Sequence, residues 1–183
     1  MELAKKVESA NILKKILLVM FGTLLLTISA KIKVPFYPVP MTMQTFVVLF
    51  IGIAFGWKLA VTTIFLYLFE GIIGLPVFSG TPEKGLGLAY FTGPTMGYLI
   101  GFVVAGYFSG KFVYDNNLIK NFLKLSLATS FIYIFGLIWL GSLIGWEKPL
   151  FKLGAQPFLI AELFKVLIAT LAINQIKKLR KII

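Results

Sequence analysis

Neither cysteine nor histidine occurs among the 183 residues of this sequence, and acidic residues are few, with seven against 18 lysines and arginines. Without cysteine the chain has no thiolate nucleophile, and without histidine it lacks the usual general base at neutral pH. Disulfides and metal sites built from these two residue types are excluded as well. These absences remove most familiar catalytic constellations, so the sequence does not predict an enzyme.

Hydrophobic residues dominate what is present. They make up 58% of the chain, the mean hydropathy is +0.92, and only 14% of residues are charged. These values lie well outside the range of soluble domains and predict an integral membrane protein. A chain of this length has room for about six helices of roughly 20 residues, the length that crosses a hydrocarbon layer of about 30 Å. The predicted fold is therefore an all-α membrane protein, a single bundle of six transmembrane helices.

Hydropathy places six candidate spans along the chain, at about 12–30, 41–56, 58–75, 88–110, 121–145 and 155–176. After the first span, the segment KIKVPFYPVPMTMQ contains Pro35, Pro38 and Pro40. This density of proline forbids a regular helix and predicts a loop of fixed shape. The predicted organisation has three parts: a lead-in at 1–11, interfacial or disordered, a six-helix membrane domain at 12–176, and a basic cytoplasmic tail at 177–183.

Basic residues are distributed unequally between the two sides of the predicted bundle. Twelve of the 18 would lie on the side of the termini and five on the other, with Lys165 inside the sixth span. Because lysine and arginine collect in cytoplasmic loops, both termini are predicted to be cytoplasmic, with the chain in the plasma membrane. The net charge of +11 thus reflects membrane topology. Nucleic-acid binding is not predicted, because no aromatic and basic surface remains outside the spans.

Two acidic residues, Glu70 and Glu162, fall inside predicted spans, whereas the other five lie in tails or loops. A charge in hydrocarbon is costly unless it faces a partner or a wet cavity, so each is a candidate for function. Glu162 precedes Lys165 by three positions on one helical face, and the two can pair when the site is empty. The pair could simply fix helix packing. Since buried pairs rarely add net stability, we favour a site for a ligand with an anionic end and an N–H donor.

Further candidates lie towards the same outer side. Gln44 and Thr42 open the second span, where they could orient a ligand or tie down the proline-rich loop. Glu70 lies near the outer end of the third span, and a structural use is favoured there. Tyr98 and Thr95 lie beside glycines that repeat every four residues in the fourth span, and both could line a pocket. The glycine face itself indicates close helix packing.

The segment GYFSGK, residues 106–111, does not form a nucleotide-binding loop. It has three residues between its glycines where four are needed, and phenylalanine follows the lysine in place of serine or threonine. The chain therefore shows no ATPase of its own. If it moves a solute uphill, a partner must supply the energy.

Four segments resemble the BioY family, the biotin-binding S components of energy-coupling factor (ECF) transporters. They are VPFYPVPMTMQTFVVLFIG, LYLFEGIIGLPVF, GPTMGYLIGF and PFLIAELFKVLIA, and the similarity runs from about residue 20 to 175. The resemblance implies a six-helix S-component fold that binds biotin from outside with high affinity. It also implies a partnership with a transmembrane T component and two ATPase subunits, with biotin as ligand and no cofactor.

The resemblance also implies roles for individual residues. In the family an acidic residue and a lysine three positions later contact the ligand, which matches Glu162 and Lys165, although aspartate is more usual than glutamate. Lys165 would bind the valerate carboxylate and Glu162 a ureido N–H. Ser79, directly after LPVF, is a further predicted ligand contact. Thr23 and Thr27 match the spacing of a small-residue pair that docks the T component.

Three rival functions remain open at this point. One is an S component for another vitamin, and a second is a passive channel or facilitator, which would give flux without ATPase partners. The third is a small intramembrane enzyme acting on lipid. It would need a nucleophile with an activating base, and no nucleophile with a convincing partner stands out in the sequence.

Overall fold

The computed structural model describes the backbone of residues 2–83 and 85–182, and the side chains of residues 11–83 and 85–180. Met1, Lys84 and Ile183 lie outside the described residues. The predicted lead-in and tail are therefore covered only in part, and one of the lysines counted on the outer side is not covered.

Long helices account for most of the described chain. The elements in chain order are α1 (Glu2–Lys31), β1 (Lys33–Val34), β2 (Met41–Thr42), α2 (Gln44–Ile72), α3 (Leu88–Phe91), α4 (Met96–Lys111), α5 (Leu118–Ile144), α6 (Leu150–Gly154), a 3-10 turn (Gln156–Phe158) and α7 (Leu159–Ile182). Within the described part of the chain, four segments are long and apolar enough to cross a membrane: Asn11–Lys31, Gln44–Ile72, Leu118–Ile144 and Leu150–Arg180. A sharp bend divides α2 in two, and α4 is the sixth membrane helix. The predicted six-helix membrane bundle is confirmed.

The bend in α2 lies at Gly56, which has φ +76° and ψ 164° inside an otherwise helical range. Only glycine adopts this backbone region readily. The second and third predicted spans are therefore joined by one residue, with helical arms at 44–55 and 57–72. The first arm has 12 residues and extends about 18 Å, so it is too short to cross the membrane completely. The short apolar segment at 41–56 in the sequence is consistent with this length.

The proline-rich segment forms the predicted non-helical loop. Two short strands pair within it, Lys33 with Thr42 and Val34 with Met41 in antiparallel register. The loop therefore returns to α1 before α2 begins at Gln44. This return places Thr42 directly beside the first turn of α2.

The fourth predicted span is broken near its start, because α3 ends at Phe91 and α4 begins at Met96. The repeated glycines then allow close approach to α5. A Cβ on Gly97 would overlap the backbone at Phe135, and one on Gly101 would overlap Ile132. Helix packing therefore accounts for this glycine face.

Helix α2 occupies the centre of the bundle, in contact with α1, α4 and α7, while α5 packs against α4 and α7. Large apolar side chains also cover the outside: Leu17 is 60% exposed, Leu123 60% and Ile160 73%. Such a surface is suited to lipid and not to water. The burial pattern agrees with the membrane location inferred from composition.

The α6 helix and the 3-10 turn lead into α7, which begins at Leu159. Glu162 therefore lies in the first turn of α7 and Lys165 in the second. The amino-terminal end of a helix carries a partial positive charge, which favours a carboxylate at Glu162. The helix continues to Ile182, through most of the range predicted as a basic tail.

Candidate ligand-binding site

A partly enclosed cavity lies beneath the proline-rich loop, between α2, α4, α5 and α7. Its empty volume is about 510 Å³, including the space open to solvent at its mouth. The wall is mainly apolar and aromatic, with a few polar groups, which is the usual make-up of a small-molecule site. The lining residues are Val39, Pro40, Met41, Thr42, Gln44, Thr45, Ser79, Tyr90, Thr95, Tyr98, Leu99, Phe102, Ile132, Tyr133, Phe158 and Glu162.

The structure brings together most of the residues predicted to contact a ligand. Six of the eight line the cavity, and they come from the loop, α2, α4, α7 and the segments between: Thr42, Gln44, Ser79, Thr95, Tyr98 and Glu162. Lys165 lies directly behind this wall, and Glu70 lies elsewhere. Residues separated by up to 120 positions thus meet at one cavity.

Glu162 and Lys165 form the predicted ion pair, with 2.7 Å between Oε1 and Nζ. Both residues are 6% exposed. The Lys165 ammonium also donates to the backbone carbonyl of Thr42 at 2.6 Å and to the hydroxyl of Thr45 at 3.1 Å. An ammonium has three protons, so all its donors are engaged. Lys165 therefore ties α7 to the loop and to the start of α2.

Two buried side-chain atoms among the described residues have no hydrogen-bond partner, namely Glu162 Oε2 and Ser79 Oγ. Both residues line the cavity. The Tyr133 hydroxyl lies close to the Glu162 carboxylate, but it does not reach Oε2 with hydrogen-bond geometry. Buried polar atoms are rarely left unpaired, because each one costs about 1–3 kcal/mol. The two atoms are therefore the natural attachment points for a polar ligand.

Gln44 and Thr42 serve the loop as well as the cavity. The Gln44 side-chain amide donates to the Tyr67 hydroxyl at 2.8 Å, and its oxygen accepts from the Thr42 hydroxyl at 3.3 Å. Tyr67 in turn donates to the backbone carbonyl of Val77 at 3.0 Å. This chain of bonds links the start of α2 to the segment that carries Ser79.

Aromatic hydroxyls fix the opposite side of the cavity. Tyr98 donates to the carbonyl of Gly154 at 2.7 Å, so it presents its ring to the cavity and its hydroxyl to the segment before α7. Tyr90 donates to the carbonyl of Ser79 at 2.7 Å, and its hydroxyl also interacts with Thr95. Tyr90 thereby holds Ser79 at the cavity wall, beside Thr95.

The other three predicted residues lie along the α1–α2 contact. Glu70 does not line the cavity and instead lies beside Thr23, so its structural use stays a prediction. Thr23 is 3% exposed, so it faces the bundle and offers little side-chain surface to a partner. Thr27 is half-buried, and its hydroxyl bonds the carbonyl of Thr23. Docking through this pair stays a prediction, and Thr27 is the more accessible member.

The BioY family model matches residues 3–182, almost the entire chain. This chain belongs to the BioY family. Among curated proteins, the probable biotin transporter BioY of Pyrococcus horikoshii is 32% identical over 164 residues, which is 90% of this BioY-family chain and 96% of that protein. The biotin transporter BioY of Thermotoga maritima is 31% identical over 158 residues, which is 86% of this chain and 92% of that protein.

A solved structure shares the fold of this BioY-family chain. It is described as the crystal structure at 2.1 Å of the S-component for biotin from an ECF-type ABC transporter. The TM-score is 0.77 with 23% sequence identity, over 92% of this chain and 93% of the other. The S-component fold predicted from the resemblance is therefore confirmed.

Sequence reasoning missed three cavity residues with polar side chains in this BioY-family chain, namely Thr45, Tyr90 and Tyr133. Thr45 bonds both Glu162 and Lys165, and Tyr133 faces the carboxylate. Thr45 directly follows Gln44, so its place beside a predicted contact was the available signal. No such signal marks the two tyrosines, because aromatic residues fill the core of any apolar bundle.

Proposed function

We propose that this BioY-family chain is the biotin-binding S component of an ECF-type uptake transporter, powered by a T component and two ATPase subunits. Its relatives from Pyrococcus horikoshii and Thermotoga maritima, which it matches over most of their length, are described as biotin transporters. The observation that carries the proposal is the cavity wall at Glu162, where a buried carboxylate oxygen without a partner stands in front of a buried ammonium.

The chemistry of biotin suits this wall. Its ureido ring carries two N–H donors and one carbonyl acceptor, and its aliphatic chain ends in a carboxylate. Glu162 Oε2 would accept from a ureido N–H, and the Ser79 hydroxyl can donate or accept. Tyr90, Tyr98 and Phe158 provide aromatic surface for the sulfur-containing ring and the chain.

Lys165 would bind the valerate carboxylate in this proposal. Its ammonium stands behind the wall, and its three protons are already engaged, so the ligand carboxylate must replace one present acceptor. The carbonyl of Thr42 is the acceptor nearest the loop above the cavity. Exchange of that uncharged oxygen for a carboxylate would give Lys165 a stronger, charge-assisted bond.

Calorimetric titration of the purified chain should show saturable binding of biotin and none of riboflavin or thiamine. Thiamine carries a permanent positive charge that Lys165 opposes, and riboflavin lacks a carboxylate to pair with it. A binding isotherm for either of these two vitamins, with none for biotin, would overturn the assignment and favour an S component for another vitamin.

The proposed orientation puts both termini in the cytoplasm, and it can be tested directly because the chain has no native cysteine. Lys148 and Asn116 are exposed positions in opposite predicted loops. In intact cells, a membrane-impermeant maleimide should label Lys148→Cys and should label Asn116→Cys only after the membrane is permeabilised. Labelling in the reverse order would show the opposite orientation.

A further inference from the structure

Thr45 occupies the point where α2, α7 and the loop meet. It is the second residue of α2 and is 7% exposed, and it lines the cavity beside Glu162. Its hydroxyl lies 3.0 Å from Glu162 Oε1 and 3.1 Å from the Lys165 ammonium. The hydroxyl therefore bridges the two members of the ion pair.

The direction of the two bonds follows from the donors present. An ammonium only donates, so the Thr45 hydroxyl must accept from Lys165. The single hydroxyl proton is then left for Glu162 Oε1, which also accepts from Lys165 at 2.7 Å. One oxygen of the carboxylate thus receives two donors, while Oε2 receives none from the residues that the structure describes.

This unequal hydrogen bonding of the two oxygens fixes the orientation of the Glu162 carboxylate. Because two donors hold Oε1, turning the carboxylate away from this orientation would break both hydrogen bonds. The position of Oε2 in Glu162, a residue that lines the cavity, is therefore fixed as well. We propose that Thr45 is a positioning residue for the ligand: its hydroxyl fixes Glu162 Oε1 so that Oε2 is presented to an N–H donor of biotin.

The inference rests on the proposed function, and it makes the hydroxyl the required feature of Thr45. Valine has nearly the same shape but places a methyl group against two charges, so both bonds are lost. Serine keeps the hydroxyl and loses only a methyl group. If the residue acts through its hydroxyl, serine should substitute for threonine and valine should not.

The test is the calorimetric affinity for biotin of the unchanged chain, Thr45→Val, Thr45→Ala and Thr45→Ser. Loss of a hydrogen bond to a charged group corresponds to a fall in affinity on the order of 10- to 100-fold, expected for the valine and alanine variants. Thr45→Ser should stay within about threefold of the unchanged chain. The alanine variant gives the same comparison if valine prevents folding, which a thermal melt reports.

Thr170→Val is the matched control, because Thr170 is a buried threonine on α7 that does not line the cavity and whose hydroxyl, among the described residues, bonds the carbonyl of Val166. Its affinity should equal that of the unchanged chain. If a folded Thr45→Val or Thr45→Ala variant binds biotin as tightly as the unchanged chain, the inference about Thr45 is wrong and the proposed function still stands. The same holds if Thr45→Ser binds biotin as weakly as the valine and alanine variants. Absence of biotin binding by the unchanged chain overturns the proposed function and the inference with it.

Discussion

Glu162→Gln should weaken biotin binding on the order of 100-fold, although glutamine has the same size as glutamate. Thr45 and Lys165 both donate to the oxygen at the Oε1 position, so the amide oxygen of glutamine must take that place. The amide nitrogen then takes the place of Oε2, the oxygen proposed to accept from biotin. Two donors would face each other there, one from the side chain and one from the ureido group.

The measurement is a titration of the folded variant with biotin, beside Glu147→Gln as control. Glu147 is an exposed acid on the same predicted side of the membrane, so its neutralisation should leave affinity unchanged. A second ligand assigns the contact: biotin methylated at the ureido nitrogens lacks the N–H donors. The unchanged chain should prefer biotin over this analogue, and Glu162→Gln should lose most of that preference. Unaltered preference in the variant would refute contact between Glu162 and the ureido group.

The ion pair and the six-helix architecture could both be predicted from the sequence for the same physical reason. Hydrocarbon tolerates few charges, so a glutamate and a lysine one turn apart stand out in a long apolar segment. The same reasoning marked Glu70, yet the structure places it against Thr23, away from the cavity. The cost of burying a charge indicates that a partner exists, and it does not identify that partner.

The roles of Thr45 and Gly56 could not be predicted in this way. Threonine in a membrane helix usually bonds the carbonyl one turn earlier, as Thr63 and Thr170 do, so nothing local distinguishes the one that bonds α7. The sequence places the boundary between two spans at 56–58, but it does not single out Gly56, one of 17 glycines, as the residue that forms a bend within one helix. Both features depend on contacts distant in sequence, with Thr45 and Glu162 117 positions apart.

Lys165→Met should have the largest effect of any substitution considered, since it lowers both stability and biotin affinity. It removes the cation and leaves the Glu162 carboxylate buried with Thr45 as its remaining donor. Breaking a buried pair in this manner costs about 3–5 kcal/mol. We expect a lower melting temperature and a fall in biotin affinity of at least about 100-fold. Lys148→Met, at an exposed position, is the matched control and should change neither quantity.

The double variant Glu162→Gln, Lys165→Met separates a structural pair from a functional one. It contains no buried charge at this point, and such neutral replacements are often as stable as the original pair. Its melting temperature should recover towards that of the unchanged chain, while its biotin affinity should stay low. A double variant that regains both would show that the pair only holds the helices together.

The methyl ester of biotin distinguishes a direct role of Lys165 from an indirect one. If the ammonium exchanges the Thr42 carbonyl for the ligand carboxylate, the unchanged chain should bind the ester more weakly than the acid. Lys165→Met should bind both about equally, because a charge-assisted bond worth about 1.5–3 kcal/mol has been removed from the acid alone. A preference for the acid that survives in Lys165→Met would mean that Lys165 acts only by holding Glu162. The carboxylate would then have to be recognised at another part of the cavity wall.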